Sequence, residues 1–143
     1  LSDLYSEASE GKNSTGEWLI DLEKLNGIVN KSNGSSLIIE GHLSHTLKNI
    51  EQIIVLRCDP NVLRLRLEKR AYSEVKIKEN LEAEAIGIIY SEALKLVDKT
   101  SLFQLDTTDC TAKEAAQLLS DFFEGKVKLN ETIDYSERIM EWY

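Results

Sequence analysis

Apolar positions in this chain alternate between short continuous runs and helical stripes. The run at 52–56, Gln-Ile-Ile-Val-Leu, is β-branched and ends at a turn signal. That is the pattern of a strand buried on both faces of a parallel sheet. Asp59 is placed to cap a following helix, and Pro60 takes the first helical position, where no N–H is needed. This helix carries Leu63 and Leu67 on one face. A break at Ala71-Tyr72-Ser73 leads into a second helix over about 76–98, striped by Ile77, Leu81, Ala85, Ile88, Ile89 and Leu94. On it Asn80, Glu84 and Glu92 read as solvent-facing.

Two further runs predict buried strands: 36–40, with Leu37-Ile38-Ile39 ending on Glu40, and 101–105, with Phe103. Asp21 can cap a helix over 22–31 striped by Leu25, Ile28 and Val29, which Gly27 weakens. Thr111 with Glu114 forms a capping box for a helix over 112–124, stopped by Gly125 and burying Leu118, Leu119, Phe122 and Phe123. Near the start, Leu1, Leu4 and Tyr5 allow a helical turn or two. A loop over 11–16 and a short extended piece over 17–20 follow. Residues 33–36 read as a turn, and a short helix reaches about residue 49 with Leu43 and Leu47 inward. The stretch 126–143 reads as a docked helix or a partner-binding segment. Strands alternating with helices give an α/β fold with a parallel sheet, although three strands are few for a doubly covered one.

At 143 residues the chain reads as one domain, 1–143, with room for a real core. The net charge of −8 offers no basic surface, so no direct nucleic-acid binding is expected. Cys58 and Cys110 lack metal-type spacing and read as small buried thiols of a reducing compartment. Neither a signal peptide nor an 18-residue apolar run is present in the sequence, which predicts a soluble, cytoplasmic protein without membrane contact.

Two clusters could carry chemistry. Arg66 and Arg70 lie four apart, so their guanidiniums would project side by side, and arginine forks bind phosphate oxygens in pairs. The plainer reading is a solvated face on which Glu68 and Glu74 pair with them. Glu40 and His42 follow an apolar strand, at the carboxyl end where open α/β sheets bind ligands and where an acid can meet a magnesium–nucleotide complex. The plainer reading makes Glu40 the first exposed residue and His42 a cap neighbour. Gly11-Lys12 is no phosphate loop, because Ser6 stands where the motif needs glycine and no buried strand precedes it.

The central stretch resembles the adenylate kinase isoenzyme-six family, adenylate kinase-like nucleotidases of archaea and eukaryotes that act in small ribosomal-subunit assembly. The resemblance rests on Val55-Leu56-Arg57, Asn61-Val62-Leu63, Arg66-Leu67, Arg70-Ala71-Tyr72, Lys76 and Asn80, with acids at Glu82 and Glu84. Ile38-Ile39-Glu40-Gly41-His42 is similar to the family's modified Walker B segment, and Leu105-Asp106-Thr107-Thr108 to its adenine-side loop. The resemblance implies a P-loop NTPase-like sheet of the nucleoside monophosphate kinase type. It also implies a monophosphate-binding region at 1–20, a lid at 69–79 and a C-terminal tail at 126–143.

By the same resemblance Arg70 contacts ATP phosphates with support from Arg66, and Tyr72, Thr107 and Thr108 contact the nucleotide. Glu40 holds Mg2+ through water, and His42 supports ATP hydrolysis. Substrates would be ATP and AMP, and a partner would be a small-subunit ribosomal protein. Two departures stand out: Ala71 where the family has Gly, and Glu40 where it has Asp.

The family's opening strand, Gly-rich phosphate loop and helix, a unit of about 30 residues, is not in this sequence. Phosphoryl transfer is therefore not expected from residues 1–143 alone. The expected activity of the intact protein is ATP-dependent nucleoside monophosphate kinase and ATPase. The alternative is a non-catalytic module that holds a ribosomal protein, and a third reading is a structural α/β protein that binds no nucleotide.

Overall fold

The computed structural model describes residues 2–14, 16–31, 37–129 and 132–142, with the backbone only of Ser2 and Trp18. The turn expected at 33–36 lies outside them. Contacts group the chain into two compact units, residues 1–51 and 52–143.

In the first unit a 3-10 turn, Ser2–Leu4, runs into helix α1 (Tyr5–Ala8). Strands β1 (Ser9–Lys12) and β2 (Trp18–Ile20) then pair as an antiparallel hairpin. The loop expected from residue 11 thus begins as strand. The Asn13 N–H closes the hairpin on the Glu17 carbonyl at 2.8 Å. Helix α2 (Leu22–Asn30) starts as expected at Asp21, whose carboxylate accepts the Glu23 and Lys24 N–H groups at 2.9 and 3.0 Å. Buried Asn26 accepts the Lys48 N–H at 2.7 Å and donates to the Leu22 carbonyl at 2.8 Å, tying the unit's last stretch to α2. Tyr5, Ala8, Leu25 and Leu47 form the core, with Ile39 and Leu43 among the residues packed on it.

The strand expected at 36–40 is not seen in its described part. Residues 37–40 have no ladder partner, and Ile38 is 79% exposed; only Ile39 packs inward. An apolar run becomes a strand only where another strand takes its N–H and C=O groups. The helix expected up to residue 49 is a single 3-10 turn, Ser44–Thr46.

The second unit is built on strands β3 (Ile53–Arg57) and β4 (Leu102–Asp106), paired in parallel from Ile53↔Leu102 to Arg57↔Asp106. The connection between them is helical, as a parallel pair requires. Helix α3 (Pro60–Lys69) begins at Asp59, whose side chain accepts the Asn61 N–H at 2.8 Å. Helix α4 (Glu74–Ala85) begins at Ser73. Leu67, Ile77 and Leu81 form a core between these two helices, with Leu63 and Trp142 against it.

The long helix expected to residue 98 breaks at Gly87, whose φ of +63° lies in the left-handed region that favours glycine. It resumes as the short helix α5 (Ile88–Ala93). Helix α6 (Ala112–Phe123) carries the expected capping box of Thr111 and Glu114. It covers a second core of Leu105, Ala115 and Leu129, together with Ile54, Phe103, Leu118, Leu119 and Phe122; Phe123 stays half exposed.

Strand β3 is not buried on both faces. Ile53, Val55 and Arg57 are buried, whereas Leu56 is 53% exposed. The fold class is α/β of the P-loop, nucleoside monophosphate kinase-like kind, with a parallel sheet and helices.

Candidate functional site

In a parallel sheet, ligands meet the chain beyond the carboxyl ends of the strands. Here those ends are Arg57-Cys58-Asp59 after β3 and Asp106-Thr107-Thr108 after β4. They are cross-bonded. The Thr107 N–H and hydroxyl both donate to the Arg57 carbonyl, at 2.7 and 2.9 Å, and the Asp59 N–H donates to Thr108 Oγ1 at 2.8 Å.

Arg66 reaches this loop from α3. Its Nη2 donates to the carbonyls of Thr107, Thr108 and Cys110 at 2.6, 3.1 and 3.4 Å. Its Nη1 donates to Thr107 Oγ1 at 3.2 Å and to Cys58 Sγ at 3.4 Å. A guanidinium so placed gathers three carbonyl dipoles of one loop, of which that of Thr107 also accepts the Cys110 N–H at 3.2 Å. Burial pushes the Cys58 thiol up, against the pull of the Arg66 charge, so Cys58 is a neutral packing group.

Arg66 and Arg70 differ in surroundings: Arg66 is half-buried on the loop, and Arg70 is exposed. Helix α3 ends at Lys69, so Arg70 stands beyond the last helical turn with its side chain exposed. Glu68 and Glu74 pair instead with Arg64, at 3.6 and 2.8 Å. The break after Arg70 is tight. Ala71 sits at φ +57°, the left-handed region where glycine is at ease, and exposed Tyr72 returns its N–H to the Leu67 carbonyl at 3.2 Å.

Beneath the strand ends lies a charge that sequence reasoning missed. Arg57 is 3% exposed. Its Nε donates to Glu84 Oε1 at 2.7 Å and its Nη1 to Gln104 Oε1 at 2.6 Å and the Ile133 carbonyl at 3.2 Å. Its Nη2 donates to the Glu84 carbonyl at 3.0 Å. Glu84 therefore turns inward rather than to solvent. Burial raises its pKa, and the Arg57 bond offsets only part of that. The signal was in the alternation: Arg57 continues the inward series of Ile53 and Val55.

The segment 132–142 closes over the same strand ends. The Tyr135 hydroxyl donates to Asp106 Oδ2 and lies 3.1 Å from Thr108 Oγ1, while the Arg57 guanidinium sits 5.8 Å from its ring centre. Arg138 forks onto Asp59 Oδ2 at 2.7 and 3.1 Å. Burial and the Asp106 bond push the Tyr135 phenol up to about 12. For Asp106 burial acts upward, but the Thr108 and Tyr135 hydrogen bonds outweigh it and leave its pKa lowered. Asp106 is thus an anion held by two hydroxyls, and Tyr135 a protonated donor.

Glu40 and His42 belong to the first unit and are both exposed. The Tyr5 hydroxyl lies 3.4 Å from His42 Nδ1, and the two rings meet edge to face at 5.6 Å and 89°. Burial and the nearby Glu40 charge raise the Tyr5 pKa, so its hydroxyl stays protonated and orients the imidazole.

Among the described residues no three His, Cys, Asp or Glu side chains converge as a metal site. Mg2+ takes hard oxygen ligands and commonly uses one or two carboxylates plus substrate phosphates. An exposed Glu40 beside Gly41 fits the carboxylate part. Among the described residues no helix is long and apolar enough to cross a membrane.

A family model described as an AAA domain matches residues 2–87. The chain is 30% identical over 141 residues to the "Putative adenylate kinase" of Methanocaldococcus jannaschii, which covers 97% of this chain and 75% of that protein. It is 34% identical over 151 residues to the protein of the same name from Methanosarcina acetivorans, covering 97% and 76%. With the one from Archaeoglobus fulgidus it shares 41% over 110 residues, covering 77% of this chain but 58% of that protein.

Proposed function

The chain belongs to an adenylate kinase-like family, and from that membership we propose that the intact protein is an ATP-dependent nucleoside monophosphate kinase. It converts ATP and AMP to two ADP, and it also hydrolyses ATP. Its setting is the cytoplasm and its task is linked to small ribosomal-subunit assembly, through a small-subunit ribosomal protein. The reading keeps the regions 1–20 for the monophosphate, 69–79 for the lid and 126–143 for the tail.

The observation that supports it best is the pairing of a braced loop with an uncommitted cation in one unit. Arg66 locks loop 106–108 at the strand ends through its carbonyls, while Arg70, on the break between α3 and α4, is exposed. Phosphoryl transfer asks the protein for positioning and charge rather than covalent chemistry. In this reading Arg70 grips phosphate oxygens in pairs and Tyr72 flanks it. Thr107 and Thr108 shape the nucleotide side, and Arg66 holds them there. In the first unit His42, oriented by Tyr5, assists the hydrolytic water. Glu40 would hold Mg2+ through water; the ion supplies neutralisation of phosphate charge.

A coupled assay of ADP formation on the full-length protein, with ATP and AMP together and ATP alone, tests this. ADP produced faster with both nucleotides supports the kinase. The absence of ADP in both arms, with no nucleotide binding by titration calorimetry, overturns the reading.

A further inference from the structure

Residues 132–142 are held to their unit chiefly by polar contacts. The Ile133 carbonyl accepts from Arg57, Tyr135 bonds Asp106, Arg138 pairs with Asp59, and Asn61 donates to Glu141 at 3.4 Å. Trp142 adds an apolar plug against Leu67, Ile77 and Leu81, but Met140 is 81% exposed. The seat is thus a short set of polar bonds and one aromatic plug. The segment also touches what the proposed site needs: the loop after β4, the cap of α3, and the packing between the two helices that flank Arg70.

The protons decide how the loop is held. Asp106 Oδ1 accepts from the Thr108 N–H at 2.9 Å and the Thr108 hydroxyl at 2.5 Å, and Oδ2 accepts from Tyr135. With both hydroxyl protons on the carboxylate, Thr108 Oγ1 keeps its lone pairs for the Asp59 N–H. Without the Tyr135 donor, Asp106 Oδ2 loses the hydroxyl shown to hold it, and the carboxylate that orients Thr108 is fixed at Oδ1 alone.

We propose that Tyr135 is a positioning residue for the nucleotide, acting through Asp106 and Thr108, and that seating of segment 132–142 is linked to nucleotide binding. This rests on the kinase reading above. Linkage is reciprocal: if the seated segment favours nucleotide, nucleotide favours the seated segment by the same factor.

Two measurements on the full-length protein test it. In steady-state kinetics, Tyr135→Phe keeps the ring beside Arg57 and removes only the hydroxyl. It should raise KM for ATP about tenfold, the size of one charge-assisted hydrogen bond, with kcat and KM for AMP within about twofold. In limited trypsin digestion, cleavage after Arg138, which must leave Asp59 to be cut, should slow several-fold in the non-hydrolysable analogue AMP-PNP. Tyr135→Phe should lose most of that protection. Wild-type KM and protection in the variant overturn the proposal. So does a parallel rise in both KM values with a lower Tm, the mark of a purely structural role. A wild-type protein that binds no AMP-PNP in titration overturns the kinase reading itself, and this one with it.

Discussion

Replacing Arg57 by Met should destabilise the protein severely, and in a pH-dependent way. The side chain is 3% exposed and serves four acceptors: the Glu84 carboxylate, the Glu84 carbonyl, Gln104 Oε1 and the Ile133 carbonyl. Met fills similar volume but donates nothing. Breaking one side of a buried ion pair costs about 3–5 kcal/mol. Glu84 keeps the Cys58 N–H at 3.1 Å, and its side chain retains 19% exposure, so water softens the loss. The lower half of that range, about 3–4 kcal/mol, follows, against about 5–15 kcal/mol for a whole domain.

The sign with pH is fixed by Glu84. Burial already raises its pKa in the folded state, and removal of Arg57 raises it further. A carboxyl with a raised folded pKa favours folding while protonated, and that contribution is lost as pH rises through the raised value. The deficit of Arg57→Met relative to wild type should therefore be smaller near pH 4, where only the neutral acceptors are left unpaired, and grow towards neutrality. Urea unfolding followed by circular dichroism at several pH values measures it. Arg57→Met/Glu84→Met should cost less than the two single changes added, because no buried charge is left behind. A single variant within about 1 kcal/mol of wild type at pH 7, or strictly additive changes, would refute the reasoning.

Arg70→Ala should cut ADP formation by at least about a hundredfold, the scale of one lost electrostatic contact in a transition state, yet leave Tm nearly unchanged because the side chain is exposed; wild-type turnover would remove Arg70 from the lid. His42→Ala should slow ATP hydrolysis without unfolding the first unit, and normal hydrolysis with a lowered Tm would make the imidazole structural. Ala71→Gly should stabilise by up to about 1 kcal/mol, since left-handed backbone costs an L-residue about 1–2 kcal/mol and glycine returns less than that in unfolded-state entropy; the Ala71 φ of +57° is the observation tested, and urea midpoints measure it.

Local signals in the sequence translated well into structure. Asp21, Asp59-Pro60 and Thr111 with Glu114 all start helices, because a cap needs only neighbours within one turn, whereas the cap at Ser73 was read only as part of a break. The parallel partners β3 and β4 were legible as apolar runs. The run at Leu37 looked the same and is not a strand, since pairing depends on what lies beside a segment and not on its own composition. The hairpin of β1 was hidden by its polar residues, Ser-Glu-Gly-Lys. At the candidate site, Arg66, Thr107 and Thr108 are brought together, and Arg70 is exposed at the end of α3. The buried pair of Arg57 and Glu84 went unread because charge normally means surface. Tyr135 and Arg138 went unread because their partners lie 29 and 79 positions away.

The partners of Arg57 also set a timetable for synthesis. They lie 27, 47 and 76 residues downstream, at Glu84, Gln104 and Ile133. At a chain growth of about 5–20 residues per second, the last of them emerges roughly 4–15 s after the arginine. Until then water takes the place of the Ile133 carbonyl, while Glu84 and Gln104 supply the other three bonds. β3 is made first in its unit, but its arginine gains its last partner late. Residues 132–142 complete the set, and a translational stall between β4 and that segment would leave Arg57 one acceptor short.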